Sequence, residues 1–565
     1  MFRMRLVSSL DRVFPERCPA KQLSRLSTAA NEPVSFQVAF RLEGKGPGAA
    51  AVNVRSVSAL PLSTYLVGCV PVMHTDTAGV NDPHAPGLFP DMLIKKKTNP
   101  PLVREGAPWG LRYYEKGEET LLYAYSDAWQ AVWFTLNEDG RSLSPGDYTV
   151  SVIFESAEDR SVLAEQALTV HVLPTELLPQ KLIYTNWFHC DCLADYYNVR
   201  IFSDRFFRIF AGYVRTAARH GMNMLLLPAF TPPLDTPIGG ERMTAQLVKV
   251  TLDGGRYSFD FSLMKKYIDT ARAAGITHFE HSHLFTQWGA EAAPKIVATV
   301  DGHPRRIFGW KTDAAGESYR AFLRAYLPQV TAFLRAEGLE KKTLFHLSDE
   351  PDEGMEAGYR RAREAVGGLL DGFMLGDALS HYEYYEKGLT ELPICVTGTI
   401  DTFIGRCDHL WAYYTGSQVR DDLSNRVIVL PPERNRILGT ELYANRIEGF
   451  LQWGYDYWYG MLSHGLFDPK TDPCGYNGSA GSCFAVYPGR KGEAIPSIRQ
   501  KVFYEGICDM RALKTLESLK GREACEELIE KHFGRMDFHM DPGGPEKMRA
   551  FREDVDRSMT GYTYG

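Results

Sequence analysis

Two carboxylates stand side by side in the run FHLSDEPDEG (345–354): Asp349 and Glu350, directly before Pro351. An apolar segment leads into them. Proline, which lacks an N–H and restricts the residue before it, stops a strand from continuing. Paired acids at such a point can do proton chemistry, one carrying charge while the other gives and takes a proton. Neighbours along a strand point to opposite faces, so both reach one pocket only if the chain is already turning there. The competing reading is an acidic helix start ahead of MEAGYRRAREAVGGLL (355–370), where the helix dipole favours negative charge. Asp352 is the better cap for that helix, which frees the earlier pair for another task.

Other residue types near such an acid pair could hold a ligand. Trp187, Trp453 and Trp458 offer flat faces for the apolar side of a sugar ring, and Tyr413 and Tyr414 offer hydroxyls. His281 and His283 share one face of a strand at a spacing that suits a metal, with His278 and His346 nearby. No third ligand stands out, and hydrogen bonds to sugar hydroxyls explain such histidines equally well, so no metal and no cofactor is expected. Cys190-Asp-Cys192 without a second cluster is read as free thiols rather than as ligands. No nucleophile elbow and no phosphate loop occurs.

Positioning these residues requires a scaffold. From residue 1 to about 175 the chain alternates polar and apolar residues in short runs such as EPVSFQVAFRLEG (32–44), QAVWFTLN (130–137), DYTVSVIFES (147–156) and ALTVHVLP (167–174). That texture predicts a β-sandwich over 1–175. Beyond residue 180, apolar runs alternate with amphipathic helical stretches, as in βα units. Strands are predicted at 181–189, 222–230, 277–285, 343–349, 372–379, 393–400, 409–416 and 449–458. Helices are predicted between them, among them 203–221 and 261–275, each ending at a glycine. The fold class predicted is therefore α/β: a (β/α)₈ TIM barrel over 176–519, preceded by the sandwich and followed by a helical extension over 520–565. In such a barrel the strand ends share one site, with Asp349 and Glu350 after the fourth strand.

Composition bounds the partners. A net charge of −7 over 565 residues excludes a general binder of nucleic-acid backbone. No stretch is long and apolar enough for a membrane span, and the first residues lack the apolar run of a secretory leader, so a cytoplasmic location is expected. A homo-oligomer stays open.

LFHLSDEP, together with EPVSFQVAF upstream and GFLQWGYDYW downstream, resembles glycoside hydrolase family 123. YPGRKGEAIPSIRQKVFYEGICDMRAL (487–513) is similar to that family's closing segment, and the resemblance covers most of the chain in the right order. It implies a retaining exo-glycosidase that releases terminal β-linked N-acetylgalactosamine from an N-acetylhexosamine-containing glycan. In that chemistry the substrate's own acetamido oxygen attacks the anomeric carbon. Glu350 would then be the general acid/base, its pKa raised towards neutrality, and Asp349 the partner of the acetamido group. Trp187, His189, His283 and His346 are expected around the sugar, as are Tyr413, Tyr414, Trp453, Asp456 and Trp458. The Gly/Ser-rich piece at 474–483 reads as an insertion at the pocket mouth that bears on sugar specificity. A glycosidase of the same fold with another sugar or anomeric preference, and a non-catalytic carbohydrate-binding protein, are the alternatives.

Overall fold

The computed structural model describes residues 1–19, 21–44, 48–75, 86–96, 102–104, 113–115, 122–476 and 478–561. Its centre is a closed barrel of eight parallel strands. They are β1 (Ile183–Asn186), β2 (Met224–Leu227), β3 (His278–His281), β4 (Thr343–Phe345), β5 (Met374–Leu379), β6 (Leu392–Val396), β7 (Trp411–Tyr414) and β8 (Gly449–Gln452). Each pairs with the next in sequence and β8 pairs with β1, register Ile183 to Gly449, closing the ring. Apolar side chains from alternate positions fill the interior, among them Met224, Leu226, Leu344, Ile394 and Trp411.

Helices Asp204–Arg219, Ser262–Ala273, Glu317–Ala336, Glu356–Val366 and Ile498–Lys520 cover the outside, whereas β6 is followed only by a single 3₁₀ turn, Ile400–Thr402. Local chemistry sets their starts and stops. The Ser203 hydroxyl accepts the Phe206 N–H, and Ser497 accepts that of Gln500, capping two helices. Gly275 takes a φ of 108° just past the helix it ends. Asp352 accepts the Glu353 N–H at 2.8 Å and so caps the turn leading into Glu356–Val366. Two hairpins that the sequence texture did not announce, 249–260 and 296–308, pair into a four-stranded sheet through Lys249–Asp253 and Ile296–Val300.

The N-terminal residues form two five-stranded sheets. One has the order 2–8, 34–42, 130–136, 62–72, 87–95, and the other 25–28, 162–172, 146–156, 49–57, 122–125. Phe36, Val38 and Phe134 of the first sheet meet Val54, Val152 and Val170 of the second in one apolar core. A second face of the first sheet, including Tyr65, Phe89 and Trp133, belongs to the same core as the barrel's helices.

Buried ion pairs tie these parts together. Arg499 reaches Asp91 with its Nε at 3.0 Å and donates to the carbonyls of Gly481 and Phe484. Arg552, on the last helix (Pro545–Thr560), pairs with Glu32 at 2.5 Å, Asp509 at 3.0 Å and Asp556 at 2.8 Å. Asp509 in turn pairs with Arg436. The Glu505–Asp509 segment of the Ile498–Lys520 helix is thus structural. Its Gly506 lets the backbone at Gly439 approach so closely that a Cβ there would lie 1.8 Å from the Gly506 oxygen. Arg552→Ala, which leaves three buried carboxylates short of a cation, should cost about 3 kcal/mol or more, read as a drop in unfolding midpoint in chemical denaturation.

Candidate active site

The segment before the acid pair leaves the sheet early. β4 ends at Phe345, and the N–H groups of Leu347 and Ser348 go to the Asp377 carboxylate of β5, at 3.0 and 3.3 Å, instead of to a neighbouring strand. Tyr359 donates to the same carboxylate at 2.5 Å. Glu350 then adopts a φ of 43°, a left-handed conformation that costs a non-glycine residue on the order of 1 kcal/mol or more. The reversal takes both acids to one cavity.

That cavity, about 310 Å³, opens at the carboxyl ends of the strands. Trp187, Ala378, Tyr413 and Leu451 line it from the barrel, and Asp349 and Glu350 line it from the end of β4. Asp235, Gln287, Trp288, Trp453 and Tyr476 extend the wall. The Tyr413 hydroxyl donates to Glu350 Oε1 at 2.6 Å. A larger hollow, about 1200 Å³, lies at the other end of the barrel among the strand starts, including Ile183, His278 and Trp411. Size alone would select it, but it contains neither the acid pair nor the carboxyl-end loops that carry chemistry in parallel barrels.

Burial first, and the charge of Glu350 second, push the Asp349 carboxyl well above the usual carboxylate range. The sequence led us to expect the raised value on Glu350. Asp349 also faces the charges of Asp377 and Asp235, which oppose its ionisation, while His346 favours it.

Beneath the pair is a buried cluster. His346 Nε2 lies 3.0 Å from Glu280 and its Nδ1 lies 3.4 Å from Asp377. Burial by itself would lower the imidazole, but Asp377 and Glu280 raise it to about 10, so it is held as a cation. Glu280 also accepts the Trp187 indole N–H at 2.8 Å, fixing the ring that lines the cavity. His283 stacks on His346 with ring centres 4.6 Å apart and planes within 15°. Neither nitrogen of His283 has a partner among the described residues. His283, His346 and Asp377 are close enough to be considered as metal ligands. However, imidazole lone pairs lie in the ring plane, and those of two parallel stacked rings do not converge on one ion. Asp377 and His346 are, moreover, engaged by their hydrogen bonds and ion pairs with Leu347, Ser348, Tyr359 and Glu280.

Of the predicted ligand residues, Trp187, Tyr413 and Trp453 line the cavity with the two acids. The others do not. Tyr414 is next to Tyr413 on β7 and therefore points outward, packing on Phe450 at 5.0 Å. The prediction of one long strand over 449–458 fails after Gln452, so strand parity no longer directs the side chains beyond it. Trp458 is buried against Tyr196 and Tyr213 and donates to the Val486 carbonyl. Asp456 is fully buried and accepts the His189 N–H at 2.7 Å. His189 contacts the Trp453 carbonyl through Nε2 and the Arg242 guanidinium through Nδ1, so it supports Trp453 from behind. His283 and His346 likewise lie below the cavity, fully buried.

Sequence reasoning missed Asp235. Its carboxylate accepts the hydroxyls of Tyr457 and Tyr476, the second at 2.9 Å, and its φ is 42°. Tyr476 comes from the 474–483 piece, which thus contributes to the wall. An acid between prolines, in PPLDTP, was the available signal; Glu280 and Asp377, acids inside apolar strands, were two more.

Comparison with known proteins points the same way. The model of the glycoside hydrolase 123 catalytic domain matches residues 187–516. The chain belongs to glycoside hydrolase family 123. Among solved structures it is similar to a family 123 glycoside hydrolase from Clostridium perfringens, described for glycolipid glycan hydrolysis. The TM-score is 0.70 at 14% identity, covering 99% of this chain and 98% of that one. A family 39 glycoside hydrolase from Bacteroides cellulosilyticus covers 86% of this chain and 82% of its own at 10% identity, with a TM-score of 0.33. No curated protein matches the sequence. No helix among the described residues is long and apolar enough to cross a membrane.

Two outcomes are expected. Tyr413→Phe, which removes the hydrogen bond to Glu350, should lower kcat/KM about tenfold, while Tyr414→Phe leaves it unchanged in the same steady-state assay. The raised Asp349 carboxyl also has a stability consequence. Between the ordinary carboxylate pKa and the raised one, the folded protein holds a proton that the unfolded chain has lost, so stability falls as pH rises through that window. Asp349→Asn lacks this slope. Its melting temperature should gain on the wild type as pH is taken from 4 to 8.

Proposed function

We propose that the protein is a retaining exo-glycosidase that releases terminal β-linked N-acetylgalactosamine by substrate-assisted hydrolysis. The observation that carries this reading is one cavity lined by two adjacent carboxylates that do not both ionise readily. Family membership supports a glycosidase, and the Clostridium perfringens relative's action on glycolipid glycans supports a glycan as substrate.

Before substrate binds, the proton of the pair is drawn to Asp349. A bound 2-acetamido group would present its N–H to Asp349, favouring the ionised form, and the proton would pass to Glu350. Glu350 then protonates the departing oxygen as the acetamido oxygen attacks the anomeric carbon, giving an oxazolinium ion. Asp349, now anionic, orients the amide and stabilises that cation. Glu350 finally deprotonates the water that opens the ring. Tyr413 keeps the Glu350 carboxyl aimed at the bridging oxygen.

The raised Asp349 carboxyl favours one rival, in which Asp349 is the acid and Glu350 the stabiliser. Leaving-group dependence separates them. Under the main reading, Glu350→Gln falls about a thousandfold on sugar-linked substrates, the usual scale for losing a general acid, yet far less on a dinitrophenyl glycoside whose leaving group needs no proton. Asp349→Asn falls on both. The opposite pattern would reverse the roles. Activity on aryl glycosides lacking the 2-acetamido group, with no inhibition by the matching thiazoline, would sink the substrate-assisted mechanism.

A further inference from the structure

Nearly all the aromatic rings at the cavity are held from behind. Trp187 is buried and bonded to Glu280, Tyr413 is bonded to Glu350, and Trp453 packs against His189, Tyr457 and Tyr476. Trp288 differs. Its side chain stands 40% exposed, and among the described residues its indole has neither a ring partner nor a hydrogen bond.

The backbone beneath it is nevertheless fixed. The Trp288 N–H donates to the Asp349 carbonyl at 2.9 Å, so the residue is attached to the acid pair's own turn. Trp288, Gly289 and Ala290 take φ values of 56°, 106° and 56°, three left-handed residues in a row. A Cβ added to Gly289 would lie 3.3 Å from the Met355 side chain, and one added to Gly358 would come within 2.5 Å of the Gly289 carbonyl. A large apolar ring is thus presented to water on a rigid, strained support. An unpartnered exposed aromatic in that setting is a surface waiting for an apolar face.

We infer that Trp288 is the platform for the sugar on the leaving-group side of the scissile bond, stacking the apolar face of that pyranose. This rests on the glycosidase reading. An exo-acting site holds the terminal ring at its closed end, against Trp187 and Leu451, so the next ring emerges past Glu350 towards solvent. Trp288 is the exposed aromatic at that rim. The ligand class is a β-linked oligosaccharide whose second unit has an apolar face free to stack, as a galactose or N-acetylhexosamine residue does. Because the platform and Asp349 share a hydrogen bond, stacking there would also steady the turn that holds the two acids.

Trp288→Ala and Trp288→Phe, compared with the wild type, test the assignment with two probes. One is a disaccharide bearing a β-linked terminal N-acetylgalactosamine, which spans the bond. The other is the monosaccharide thiazoline, which has no leaving group. The platform requires that kcat/KM on the disaccharide fall about tenfold in Trp288→Ala, the scale of one aromatic contact. The fall should be smaller in Trp288→Phe, and the thiazoline inhibition constant should not change. Equal losses on both probes would mean that the substitution only disturbs the Asp349 turn, and undiminished disaccharide turnover would mean no contact; either result overturns the inference. If the wild type cleaves no acetamido sugar and ignores the thiazoline, it is the glycosidase reading that falls. The platform is then judged by titrating wild type and Trp288→Phe with the same disaccharide and following tryptophan emission. Because Trp187 and Trp453 line the same cavity, a larger change in the wild type than in Trp288→Phe upholds it, and identical traces overturn it.

Discussion

The Asp377 carboxylate is the constraint on which the site depends. It satisfies two backbone N–H groups that would otherwise be orphaned where β4 stops, takes the Tyr359 hydroxyl, and flanks the His346 cation. A buried anion with these partners is stable, whereas two unpaired buried N–H groups would not be. By replacing a strand with a side chain, the protein ends the sheet at a chosen residue and lets the next few turn. Adjacent acids, which a continuing strand would send to opposite faces, then share one pocket.

The electrostatics and the strain around that pocket have one origin. Burial first and Glu350 second hold the Asp349 carboxyl up, and Asp377 and Asp235 add to this against the opposing pull of His346. Glu350, Asp235 and Trp288 all line the cavity in left-handed backbone. Such geometry persists only where surrounding structure over-determines it. Here the determinants are identifiable: Tyr413 on Glu350, Tyr457 and Tyr476 on Asp235, and Met355 against the loop of Trp288.

The barrel strands could be read from sequence because buried parallel strands are continuous apolar runs between helices with clear caps, as at Ser203 and Gly275. The strand ends could not be read. MLLLPAF and GFLQWGYDYW stay apolar and aromatic beyond the last hydrogen-bonded residue, since the chain that leaves the barrel remains buried. Reading 449–458 as one strand therefore put Asp456 and Trp458 at the end of a strand that stops at Gln452. The acid pair was legible because two carboxylates before a proline have few structural uses. Asp235 was not, because its role depends on Tyr457 and Tyr476, more than two hundred residues away. The histidines were not: β3 ends at His281, which packs outward on Tyr326 and Phe345, whereas His283 turns inward onto His346. Their spacing therefore gave no shared face, and the charge of His346 comes from Asp377 and Glu280.

Glu32 and Arg552, paired near the N-terminal sheets, are separated by 520 positions in the chain. During synthesis Glu32 leaves the ribosome long before Arg552, its cation in the folded protein, whereas Asp509 can already meet Arg436. The two sheets can pack on their own apolar faces in that interval, but Glu32 at their junction with the barrel lacks this counterion until the Pro545–Thr560 helix docks. Docking of that helix therefore ties Glu32 to Asp509 through one guanidinium and joins the N-terminal sheets to the barrel helix Ile498–Lys520.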